Sequence, residues 1–147
     1  MNVSSKLSTR YILFIPAYWA CLFGEIITIA YQSKEYWNGD LKKANEGNPV
    51  DAFLMAIHVS GIFLISAAWL IIIGLIGSFI HYKYLKIFIL FVLLAHTWGA
   101  SSWLSQNYGF WSVMVFILFN SVLFVKTEEY HLSTYKAYML DKRIEDL

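Results

Sequence analysis

The chain has 147 residues, 59% of them hydrophobic, 14% charged, and a formal net charge of +1. A soluble domain carries about a quarter charged residues, and here the charges fall between long apolar blocks, so a soluble core is excluded. So is a basic footprint for nucleic acid. The single cysteine, Cys21, rules out an internal disulfide and any CxxC motif.

The composition predicts an all-α integral membrane protein, an up-down bundle of four transmembrane helices forming a single membrane domain over 1–147. An open sheet would leave backbone groups unpaired in lipid. The helices are expected at about 11–31, 49–80, 84–105 and 110–126, with a cytoplasmic tail at 127–147. The first begins after Lys6 and Arg10 and contains Pro16. Its apolar run outlasts a signal-peptide core and no A-x-A site follows, so it reads as a retained helix.

Within this helix Tyr18, Cys21, Glu25, Thr28 and Gln32 are spaced 3, 4, 3 and 4. That is one polar stripe on one helix face, and it should face the bundle interior. The loop that follows holds Asn38-Gly39-Asp40, a turn signal, and ends in Asn48-Pro49-Val50-Asp51. Asn at N-cap, Pro at N1 and an acid at N3 start a helix. The second helix is therefore expected from Pro49, overlong for a ~30 Å hydrocarbon layer and so tilted or projecting. It carries His58, with Gly61 three residues on. The third carries His96, with Gly99, Ala100, Ser101 and Ser102 beside it. Small residues permit close helix approach or room for a flat ligand. The fourth carries Asn120, placed to hydrogen-bond across helices. No glycine or proline follows Gly109, so this helix can continue past the membrane. Leu132, Tyr135, Met139 and Ile144 then suggest an amphipathic cytoplasmic helix, expected to lie on lipid headgroups.

The basic residues give the orientation. Lys6 and Arg10, Lys83 and Lys86, then Lys126, Lys136, Lys142 and Arg143 fall in three segments on one side. The positive-inside rule makes that side cytoplasmic, with both termini inside, in what is expected to be a bacterial cytoplasmic (inner) membrane. Trp37, Trp103, Tyr108 and Trp111 are expected in the outer aromatic belt, and Tyr11, Tyr82 and Tyr84 in the inner one.

Glu25, His58 and His96 lie well inside the expected spans. A centred acid costs about 2.5–3.5 kcal/mol even on the lenient insertion scale, so such groups mark function by default. Counting at 1.5 Å per residue puts them roughly 9, 9 and 13 Å below the outer surface, close to one layer. Glu25, His58 and His96, with Tyr18, Thr28 and Asn120 nearby, are the expected ligand- or proton-binding residues. His58, His96 and Glu25 could hold a divalent metal, or His58 and His96 could be axial ligands of a b-type haem. The leading expectation is a non-catalytic accessory subunit that binds a small ligand or proton and docks to a protein partner or to copies of itself in the bilayer. A haem electron-transfer subunit and an interaction-only assembly or toxin-immunity protein are the alternatives. No GxSxG, HExxH or phosphate loop points to a soluble-enzyme chemistry.

Overall fold

The computed structural model describes residues 10–145, and those residues contain helices and no strands. Lys6 lies outside them, as do the side chains of Lys142 and Ile144. The elements are α1 (Ile15–Tyr31), α2 (Lys34–Trp37), a 3-10 turn (Leu41–Lys43), α3 (Pro49–Met55), α4 (Gly61–Phe79), α5 (Tyr82–Tyr108) and α6 (Phe110–Glu145). Four segments are long and apolar enough to cross a membrane: Arg10–Tyr31, Gly61–Phe79, Tyr82–Tyr108 and Phe110–Asp141. Their outward faces are apolar, with Phe79 84% and Trp98 83% exposed. A water-soluble monomer does not present rings in this way.

Hydrogen bonds at the helix ends fix an alternating direction. At one end the Arg10 guanidinium donates to the carbonyls of Gly77 (2.6 Å) and Ile80 (2.5 Å), satisfying the last turn of α4. Beside it Tyr82 Oη meets His131 Nε2 at 2.6 Å and Lys86 pairs with Glu128, which ties the start of α5 to α6. At the opposite end the Tyr31 and Tyr108 hydroxyls meet, and Gly109 turns the chain into α6 with a φ of +79°. That left-handed value favours glycine. α1 is the hub, packing on α4, α5 and α6.

One feature differs from the sequence expectation. The helix expected over 49–80 is two helices. Asn48 does cap α3, accepting from Val50 N at 3.0 Å, with Pro49 at the first helical position. But α3 stops at Met55, and residues 56–60 form a non-helical link. Side chains in the link compete for the backbone that a helix would use: Ser60 N donates to His58 Nδ1 (3.1 Å). Tyr36 Oη donates to the Val59 carbonyl (3.0 Å) and Trp69 Nε1 to Asp51 Oδ1 (2.9 Å), holding the link and α3 in place. Gly61 completes the junction, since a Cβ there would collide with the Leu54 carbonyl.

Residues 127–145 continue α6 without a break, as the lack of glycine and proline after Gly109 allows. Thr127 and His131 are buried, whereas Leu132, Tyr135 and Met139 are exposed. Trp103 packs in the bundle with Ile27, Ala100, Leu104 and Phe116.

The loop after α1 is pinned rather than loose. Gln32 closes a two-way amide pair with the Asn45 backbone (2.8 and 2.9 Å). Ser33 caps α2 by accepting from Tyr36 N, and Tyr36 is fully buried with Met55 and Ile62.

Candidate functional site

The polar stripe of α1 turns inward. Cys21 is fully buried, Glu25 is 9% exposed, Gln32 is buried, and Tyr18 and Thr28 are half-buried on the same face. Leu22 and Ile26 point outward. Two of these groups bond to α4. Tyr18 Oη donates to the Leu70 carbonyl at 3.1 Å, in space left by Gly74 on α4. Glu25 Oε2 accepts from Ser66 Oγ at 2.5 Å, and the same hydroxyl lies 2.8 Å from the Ile62 carbonyl. α4 therefore holds the carboxylate through Ser66.

His96 reaches the stripe from α5. One donor atom each from Cys21, Glu25 and His96 lies within 4.8 Å of the other two. Cys21 and Glu25 share a face because they are four residues apart. α5 lies against this turn of α1: a Cβ at Gly24 would sit 3.8 Å from His96 Nδ1 and 3.8 Å from its carbonyl oxygen, ordinary contact distances. The Trp69 ring meets the imidazole edge-on at 6.2 Å and its N–H donates to Asp51. Trp69 thus connects the centre to α3.

His58 is not brought to this place. It lies in the exposed 56–60 link with its Nδ1 against Ser60 Oγ at 2.8 Å. Ser66, which touches Glu25, is already five residues into α4, about 8 Å along the helix from its start. Among the described residues the close donor group is Cys21, Glu25 and His96, and His58 is not one of its members. The glycines read with these histidines also separate. Gly61 packs on the Leu54 backbone, while a methyl group added at Gly99 would have nothing within 4 Å.

Asn120 is 3% exposed and donates from Nδ2 to Thr97 Oγ1 at 3.0 Å. It sits beside the centre, joining α6 to the residue after His96. Among the described residues its Oδ1 is buried without a partner, as is Ser101 Oγ. Sequence reasoning misses Ser66 and Trp69. Ser66 has one visible signal, being a lone hydroxyl in an apolar run.

Outside the spans, two acids near the link are perturbed. Burial pushes the Asp51 carboxyl above its usual range, opposed by the bonds from Trp69 and Asn48. Burial likewise raises Glu46, opposed by the Asn48 N–H at 2.7 Å.

No family model, curated protein or solved structure matches the chain.

Proposed function

We propose that the chain is a non-catalytic membrane subunit whose centre, Cys21, Glu25 and His96 at the α1–α5 seam, binds a small ligand, ion or proton. One observation carries this reading. Three donor atoms of different chemistry converge in a mostly buried position, yet among the described residues neither His96 ring nitrogen nor the Cys21 thiol is used in a hydrogen bond. A centre serving only to pin helix register would satisfy its groups with one another. An intramembrane ionisable group is costly and is retained where it works.

We place both termini on the cytoplasmic face of a bacterial inner membrane. The support is that Arg10, Lys83, Lys86 and Lys126 gather at the end where Arg10 meets α4 and Lys86 meets α6. The subunit docks in the bilayer to another membrane protein or to its own copies.

Thermal unfolding of the purified chain in mild detergent tests the binding centre. Wild type, Glu25→Gln and His96→Gln are compared across pH and a panel of mono- and divalent cations. A ligand at 100 times its Kd adds about 2.7 kcal/mol, or about 5–10 °C in Tm at roughly 2–4 °C per kcal/mol. A shift of that size in wild type and absent from Glu25→Gln supports the reading. Identical responses in all three proteins under every condition sink it.

A further inference from the structure

We propose that Cys21, Glu25 and His96 form a binding site for a divalent transition-metal ion of the zinc class. This rests on the binding-centre reading above and gives its ligand a chemical class. The donor set selects the ion. A thiolate, an imidazole and a carboxylate are the ligands of a borderline-soft metal. Calcium and magnesium take oxygen ligands in larger number.

The geometry is close to what such an ion needs. Tetrahedral coordination at bond lengths of about 2.0–2.3 Å separates donors by roughly 3.3–3.8 Å. The three donors here already lie within 4.8 Å of one another, at most about 1–1.5 Å wider than that geometry requires. The supports are also in place. Ser66 orients the Glu25 carboxylate from α4 at 2.5 Å, the role that outer-shell hydrogen bonds play at metal sites. Trp69 abuts the imidazole edge-on.

Charge adds an independent argument. A thiolate and a carboxylate neutralise a divalent cation, and imidazole adds nothing. The loaded site therefore carries no net charge into the apolar layer, where an unpaired charge is expensive. A monovalent ion would leave it negative. Three protein ligands leave a fourth position for water or an incoming group, the pattern of sites that exchange what they hold.

Cobalt(II) is the probe. Cys21 is the chain's only cysteine, so a sulfur-to-cobalt charge-transfer band can arise from no other residue. The full chain is purified in mild detergent, stripped with a chelator and titrated with cobalt. We expect one cobalt per chain, a thiolate band, intense tetrahedral visible bands, and bleaching by zinc but not by magnesium or calcium. Cys21→Ser should abolish the thiolate band. Glu25→Gln and His96→Gln should weaken cobalt binding at least tenfold, and Ser66→Ala about tenfold or more, with helix content by circular dichroism checking that each variant folds. A folded wild type with no thiolate band overturns the site. So does a thiolate band that survives unchanged in both Glu25→Gln and His96→Gln. If cobalt and zinc fail while pH or another cation shifts the Tm of wild type and not of Glu25→Gln, the binding centre stands and the metal assignment falls.

Discussion

Replacing Gly61 and Gly99 separately by alanine distinguishes a packing role from a shared ligand slot. The two glycines follow His58 and His96 at the same spacing, and a flat cofactor lying between them would make both alanines harmful. The structure predicts opposite signs. At Gly61 the new methyl would land on the Leu54 carbonyl and 3.1 Å from Met55 N. The obstacle is main chain, and beneath it Met55 is fully buried with Tyr36 and Ile62, so α3 has nowhere to move. Overpacking costs about 1–3 kcal/mol, and a backbone obstacle puts the loss toward the upper part of that range. Gly61 opens α4, so little helix propensity is regained. At Gly99, inside α5, nothing lies within 4 Å. Alanine there gains about 0.8–1 kcal/mol of helix propensity. The variants should differ by about 3–4 kcal/mol, with Gly99→Ala above wild type. Reversible unfolding in mixed micelles, followed by tryptophan fluorescence, measures both. Wild-type stability for Gly61→Ala, or a loss at Gly99→Ala comparable to that at Gly61→Ala, would refute the reasoning.

Ser66→Ala removes the donor to Glu25 Oε2 and should cost about 1–3 kcal/mol in the same unfolding experiment; an unchanged midpoint would mean the carboxylate finds another partner. For Asp51, whose folded pKa lies above its ordinary value of 3.8, the native state holds its proton to higher pH. Its stabilising contribution is present below 3.8 and is lost as pH rises through the folded value. Wild-type Tm should therefore fall relative to Asp51→Asn between acid and neutral pH, since Asn keeps an acceptor for Trp69; parallel curves would contradict the assignment. Asn120 and Thr97 share one buried bond and leave Asn120 Oδ1 unpaired. Thr97→Val alone should destabilise by about 1–3 kcal/mol, and the double variant with Asn120→Leu should recover most of that loss, because removing both partners is nearly neutral. Lys86→Ala breaks a partly exposed ion pair and should cost no more than about 1 kcal/mol, read as a Tm change that added salt diminishes.

The four long helices are legible because their apolar runs are long and the charges sit between them. The inward face of α1 is legible too, since Tyr18, Cys21, Glu25, Thr28 and Gln32 follow helix spacing without help from the rest of the fold. The break at 56–60 is not. Ala56, Ile57 and Val59 continue the apolar run, and a helix and a link read alike there. What ends α3 is tertiary: Tyr36 on Val59, Trp69 on Asp51, and the contact of Gly61 with Leu54. Depth counting assumes an unbroken rise through this stretch, and so puts His58 level with Glu25. Cys21 falls on the right face, but its nearness to His96 depends on the register between α1 and α5, which spacing within one helix does not give. The packing of Trp103 with Ile27 and Phe116 joins separate helices, so spacing within α5 does not reveal it.

The unbroken course of α6 has a mechanical consequence. Thirty-six residues make a rod about 54 Å long, against a hydrocarbon layer of about 30 Å. The helix exceeds that layer by roughly 24 Å, and its later half is tied to α5 by Glu128 on Lys86 and His131 on Tyr82. The same rod carries Asn120, bonded to the residue next to His96. One continuous helix thus joins the contacts at Glu128 and His131 to the bond beside His96.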